Sequence, residues 1–281
     1  GSINDHVSDN TIRLWNRQGE LIQELRGHQD DVNAVAISAD GEIIVSGSLD
    51  RTVRLWTSWG SQIGELHGHH QSVNAVAISP DKRTIISGSW DKTVRLWNLR
   101  EELIRKLRGH QESVNAVAIS ADGETIVTGS LDKTVRLWNL REELIRELRC
   151  HYESVYAVAI GADGETIVSG SRNSPVCLWN RQGELIKELH GDNFELGFEL
   201  GNDAVAISAD GEMIVSGNLD KTVRLWNRQG ELIRILHGHQ DSVNGVAISA
   251  DGQTIVSGSS DNTMRLWNRQ GEQIGVLRGH Q

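Results

Sequence analysis

Proline is scarce in this chain, with two residues against 29 glycines, and Tyr and Phe number two each against nine Trp. Trp is usually the scarcest aromatic, so its excess reads as the product of copying. Cysteine is equally scarce: Cys150 and Cys177 are too few for a disulfide framework and read as thiols of a reducing compartment. No stretch approaches the ~18 apolar residues of a membrane-spanning helix. The N-terminus, Gly1-Ser2-Ile3-Asn4-Asp5, has neither a basic n-region nor an apolar run, so no signal peptide is read and a cytoplasmic location is expected. Positive charge is in deficit. The formal net charge of −10 argues against a non-specific grip on nucleic acid or an anionic membrane. What remains, 38% apolar and 23% charged, is the composition of a soluble globular protein. A chain of 281 residues is long enough to bury a sizeable core.

Seven of the nine Trp are periodic. Trp15, Trp56, Trp97, Trp138, Trp179, Trp226 and Trp267 are spaced by 41 residues, except for one interval of 47. Residues 91–131 and 132–172 align without a gap and match at 34 of 41 positions. Such a period is read before any local motif. In the unit that starts at His110, Val114-Asn115-Ala116-Val117-Ala118-Ile119 reads as a buried strand. Asp122-Gly123 is a hairpin turn, and Thr125–Ser130, Thr134–Trp138 and Glu143–Leu148 read as three further strands. A four-stranded meander cannot bury its own faces, so copies must stack. A helical solenoid has a similar period, but the Asp-Gly turns and short β-branched runs disfavour it. Radial stacking of such sheets gives a β-propeller.

The chain resembles the WD-repeat propellers. Gly27-His28, Gly68-His69, Gly109-His110, Gly238-His239 and Gly279-His280 resemble the family's Gly-His pair. Its Trp-Asp pair appears as Trp-Asn after six of the periodic Trp and as Trp56-Thr57 after the seventh. The resemblance implies a buried network of His, Ser or Thr, Asp and Trp in each unit. The matching residues are His28, Ser46, Asp50 and Trp56; His69, Ser87, Asp91 and Trp97; His110, Thr128, Asp132 and Trp138; and His239, Ser257, Asp261 and Trp267. A buried Asp is costly unless it is hydrogen-bonded, and a His N–H with a hydroxyl satisfies it. The same residue types make hydrolase triads, but an enzyme needs one site and this group recurs in unit after unit. The His67-Gly68-His69-His70 run suggests a metal cluster, yet His69 belongs to its network and His67 has counterparts at His190 and His237. No catalytic residue, metal site or cofactor is assigned.

The departures from the repeat are local. Every Tyr, Phe and Cys lies between 150 and 198. The 150–190 unit carries Cys150-His151 for Gly-His and Asn173 for the turn Asp; Pro175 and Cys177 fall in or beside its third strand, which suggests irregularity there. The 191–237 unit holds a six-residue insertion with Phe194 and Phe198, which is either a partner-binding element or a tolerated cap. Asn202 replaces the usual Val, so that unit's first strand is expected to start late. The family binds partners through the face carrying the loops before strand one and between strands two and three. The resemblance puts Leu49, Trp90, Leu131, Arg172, Leu219 and Ser260 there, and Tyr152, Tyr156, Phe194 and Phe198 are added as candidates. Four of the six loop residues are Leu or Trp, expected as an exposed apolar rim.

The strand count leaves one unit short. The N-terminal residues 2–11 align with Thr254–Thr263, so that unit has no first strand, and its second contains Asn4-Asp5-His6. The expectation is an all-β, seven-bladed propeller of four-stranded antiparallel blades in one domain, 1–281, whose first blade, 1–26, lacks its innermost strand. The further repeats are 27–67, 68–108, 109–149, 150–190, 191–237 and 238–281. His280 is expected to serve the Trp15 network, and the unpaired inner edge invites self-association. The resemblance is strongest to bacterial, cyanobacterial-type arrays, which implies a non-catalytic scaffold or sensor with a protein or peptide partner, not nucleic acid or membrane. The second reading, from Gly1-Ser2 and the missing strand, is an engineered or excised repeat array with no native partner.

Overall fold

In the unit that starts at His110, alternating runs become strands at Val114–Ile119, Thr125–Ser130, Val135–Asn139 and Leu144–Leu148, paired antiparallel in that order. The first turn closes because the Gly123 N–H donates to Ser120 O at 2.9 Å with φ at 74°, a conformation that glycine adopts without strain. Each inner strand begins with a register shift, between Val114 and Ala116 in this unit, so Asn115 sits in a bulge. The computed structural model describes residues 10–16, 20–139, 143–172, 174–190, 202–249 and 251–278.

Six four-stranded sheets of this kind follow one another. We number the blades 1 to 6 by their inner strands: Val32–Ile37, Val73–Ile78, Val114–Ile119, Val155–Ile160, Asn202–Ile207 and Val243–Ile248. From blade 1 to blade 6, each inner strand lies beside the next, which is the radial packing of a propeller. The core therefore lies between blades. Val45, Val53, Leu55 and Leu66 of blade 1 pack on Val73, Val76, Ile85 and Trp97 of blade 2, and the arrangement repeats around the fold. The blade Trp side chains are 1–3% exposed. Burying that much aromatic surface contributes roughly 4–6 kcal/mol per Trp, before the entropy of ordering it.

The seven-bladed expectation is corrected. The described residues form six complete blades and one two-stranded sheet, β1 (Thr11–Trp15) with β2 (Leu21–Arg26). This half-blade packs Ile12 and Leu25 on Ile44 and Trp56 of blade 1. Among the described residues it has two strands, the third and fourth of the repeat unit. The second strand expected around Asn4-Asp5-His6, and His280, lie outside the described residues.

Three smaller expectations also change. The strand opened by Asn202 does not start late: Asn202 pairs with Asn218, as Val243 does with Ser259. Pro175 leaves strand Val176–Asn180 regular, but the ladder to the second strand ends at Ser169–Cys177, one pair short of blade 3. Cys150 and Cys177 are not free thiols. They are joined in a disulfide, because the blade lays the loop ahead of its inner strand against its own third strand, across 27 residues of sequence.

Candidate interaction face

The two ends of each blade are distinguished by their backbone bonds. At one end, in blades 1, 2, 3 and 6, the turn between the second and third strands is tied to the loop ahead of the inner strand. Leu49 N–H donates to Asp31 O at 2.9 Å, Trp90 to Ser72 O at 3.0 Å, Leu131 to Ser113 O at 2.9 Å and Ser260 to Ser242 O at 2.9 Å. At the other end, Ser58 N–H donates to Glu42 O at 3.0 Å and joins the remaining two turns.

Beneath the first end lie four complete networks. In blade 3, His110 Nδ1 meets Asp132 Oδ2 at 2.8 Å, His110 Nε2 meets Thr128 Oγ1 at 2.7 Å, and Trp138 Nε1 donates to Thr128 Oγ1 at 2.9 Å. The Gln111 backbone N–H donates to the same Asp132 oxygen at 2.9 Å, which pins the loop to the turn. His28–Asp50–Ser46–Trp56, His69–Asp91–Ser87–Trp97 and His239–Asp261–Ser257–Trp267 repeat the arrangement. Burial pushes each carboxyl up. Hydrogen bonds from the His, the following Thr and a backbone N–H outweigh it and hold Asp50, Asp91, Asp132 and Asp261 well below the usual carboxylate range. The Ser46, Ser87, Thr128 and Ser257 side chains are 0% exposed, so no substrate can reach these hydroxyls. The networks hold the loops in place. Blade 4 departs from the pattern: His151 Nε2 still meets Ser169 Oγ at 2.7 Å, but its Nδ1 faces Cys177 Sγ at 3.7 Å. Among the described residues no group of three or more His, Cys, Asp or Glu is placed to hold a metal ion, and His67 pairs with Glu65 at 3.4 Å.

The candidate face residues differ in how far they stand out. Trp90 is 51% exposed, whereas Leu49, Leu131 and Leu219 are half-buried against their loops. Arg172 and Ser260 are exposed. The Arg172 guanidinium lies 4.9 Å from the centre of the Tyr156 ring, within cation–π range. Tyr152 is exposed, and its carbonyl accepts from Lys133 Nζ at 2.8 Å. Phe194 and Phe198 lie outside the described residues. The structure thus brings Arg172 and Tyr156 together and leaves Trp90 projecting.

Sequence reasoning missed the bulge position. Asn33 Nδ2 donates to Ser72 Oγ at 2.8 Å and Asn74 Nδ2 donates to Ser113 Oγ at 3.0 Å, so polar bonds run from blade to blade along this end. Tyr156 is the substitution at that same bulge position in blade 4. The signal was visible as a polar Asn copied inside an otherwise apolar strand.

The family model described as "WD domain, G-beta repeat" matches residues 19–57, 60–98, 101–139, 142–180, 203–227 and 230–268, well over half of the chain. The chain is a WD-repeat protein. Five of the six matched stretches run from the outer strand of one sheet through the third strand of the next, so those WD repeats straddle a blade boundary. The shortest, 203–227, begins where the inserted segment ends. No curated protein matches the chain. WD-repeat propellers are in general protein-interaction scaffolds.

Proposed function

We propose that this WD-repeat chain is a non-catalytic scaffold whose loop face, centred on Trp90, binds a protein or peptide. The observation that carries this reading is Trp90 itself. It is a large aromatic held half-exposed on a turn that is bonded to the neighbouring loop and supported by the buried His69–Asp91–Ser87 network. Trp and Arg on a rigid, pre-ordered surface are the residue types that dominate binding energy. Arg172 stacked on Tyr156 supplies a second anchor of that kind. The repeated His–Ser–Asp groups support the loops from below and offer no reachable nucleophile.

The test is a quantitative pull-down from the native source. Trp90→Ala is expected to reduce recovery of specific partners by about tenfold or more. Trp59→Ala removes an even more exposed Trp, 79%, at the opposite end of the neighbouring blade 1 and is expected to leave recovery unchanged. Equal recovery by wild type and Trp90→Ala would overturn the proposal.

A further inference from the structure

Three sheets of this molecule hold a carboxylate of the outer strand between two basic side chains. In blade 3, Glu147 Oε2 meets Arg136 of the third strand at 2.7 Å, and Glu147 Oε1 meets Arg149 at 2.6 Å. In blade 1, Glu65 accepts from Arg54 at 3.1 Å and lies 3.4 Å from His67. In the half-blade, Glu24 lies 3.4 Å from Arg13 and 2.5 Å from Arg26. Blade 2 breaks the pattern. Lys106 of its outer strand stands opposite Arg95, where Glu147 stands opposite Arg136. Arg108 has the place of Arg149. Three cations thus meet with no outer-strand carboxylate among them. Residues 20 to 139 are all described, and no described residue is a hydrogen-bond or ion-pair partner of Arg95, Lys106 or Arg108. Every other described arginine at the Arg95 position has an acceptor: besides those above, Arg224 reaches Asp220 at 2.6 Å and Arg265 reaches Gln273.

The Arg95 guanidinium is nevertheless held as firmly as that of Arg136. Arg95 is 5% exposed and lies 5.7 Å from the centre of the Trp97 ring, as Arg136 lies 6.0 Å from that of Trp138. Gly68 and Gly109 pass the two guanidiniums so closely that a Cβ on either would collide with Nη1. Lys106 is half-buried and Arg108 exposed, so the group opens to solvent. Burial lowers the pKa of Lys106, and the charges of Arg95 and Arg108 lower it further. Asp91, whose charge reaches both Arg95 and Lys106, is taken up by His69, Thr93 and the His70 N–H. A buried guanidinium with no anion beside it is costly.

We propose that Arg95, Lys106 and Arg108 bind a phosphate group, either the free ion or a monoester on a partner's side chain. Its oxygens take the place that the Glu147 carboxylate has in blade 3. The planar fork of Arg95 suits such an oxyanion, and Lys106 and Arg108 add two further cations at its open side. Charge selects phosphate over a carboxylate. In blade 3, two cations and one carboxylate leave a net charge of +1. In blade 2, three cations with a dianion leave the same. The site is built on the two outer strands of blade 2 and uses neither Trp90 nor the Arg172–Tyr156 pair, so it is independent of the loop-face reading.

The test titrates the full chain by calorimetry at low salt and about pH 7.5, where phosphate is largely doubly charged. The probes are sodium phosphate, sodium acetate and a phosphoserine pentapeptide. One saturable phosphate site per chain is expected, with acetate weaker by about tenfold or more. Lys106→Glu supplies the carboxylate of blade 3 and is expected to bind phosphate about tenfold or more weakly. In phosphate-free buffer the same variant is expected to unfold at a higher urea midpoint than wild type, so its lost binding is not lost folding. Saturating phosphate is expected to raise the midpoint of wild type and to leave that of Lys106→Glu unchanged. Arg108→Ala is expected to weaken binding, and Arg149→Ala, in blade 3, to bind as wild type does. A pentapeptide that binds more tightly than the free ion places the phosphate on a partner; the reverse order makes the ligand a free ion. No saturable phosphate binding, equal binding by Lys106→Glu, or acetate binding as tightly as phosphate would each sink the proposal.

Discussion

His69 and His151 hold the same place in two blades and meet different neighbours. Burial lowers the pKa of His69, and the hydrogen bond it donates to Asp91 opposes that fall. His151 has only the burial, and its pKa is pushed down to about 4. Its Nδ1 faces a disulfide sulfur, which offers far less than a carboxylate. The unfolded chain binds a proton on this residue near pH 6.5, and the folded chain does not until about pH 4. Stability therefore falls as pH drops through that window, by on the order of 3 kcal/mol. Urea unfolding between pH 7 and pH 4 is expected to show this loss in wild type and a smaller one in His151→Gln; parallel curves would contradict it. The four complete networks were implied by the family resemblance, whose motif positions recur at fixed offsets along the chain. The Cys150–Cys177 disulfide could not be read that way. Each cysteine occurs once, and only the fold shows that the loop and the third strand lie side by side.

Strands were legible because alternation and Asp-Gly turns are local signals, and the four strands of each blade fall where those signals put them. The bulge that opens each inner strand was not legible, since a one-residue shift leaves the alternation almost unchanged. Close approach between elements was also hidden. Gly129 and Gly258 are equivalent in sequence and opposite in packing. Gly129→Ala would set a Cβ 2.6 Å from Val155 Cγ1 and is expected to cost about 1–3 kcal/mol, whereas Gly258→Ala is expected to cost less than about 1 kcal/mol. Chemical denaturation of the two variants checks the contrast, and equal losses would mean that the Gly258 side is filled. A second pair of elements carries a charge mismatch. Arg136 reaches Glu147 on the outer strand at 2.7 Å, but its counterpart Arg95 stands opposite Lys106. Burial and the Arg95 charge both hold the Lys106 pKa down. Lys106→Glu is expected to stabilise by about 0.5–1 kcal/mol, more at low salt, as read from the shift in urea midpoint.

The blade number was misjudged because the periodic Trp counts third strands, and a sheet is a blade only when its inner strands are present too. Seven Trp thus gave seven units, while the described residues hold six complete blades and β1–β2. That half-blade decides how the molecule opens. A two-stranded sheet is marginal by itself. This one is held on one side by Ile12 and Leu25 against Ile44 and Trp56, and on its other side it borders the cavity shared with blade 6. Blade 3, by contrast, packs on a neighbour at both faces. Local unfolding is expected to begin where packing is one-sided. Native-state hydrogen exchange should therefore find the amides of β2, Leu21–Arg26, exchanging about ten- to a hundredfold faster than those of the equivalent outer strand Leu144–Leu148. Leu25→Ala, which removes a side chain that is 1% exposed, should weaken the attachment by about 2–4 kcal/mol and speed exchange across 11–26 while leaving blade 3 unchanged. Equal protection in the two outer strands would show that the half-blade is held as firmly as a complete blade, with the seam beside blade 6 closed.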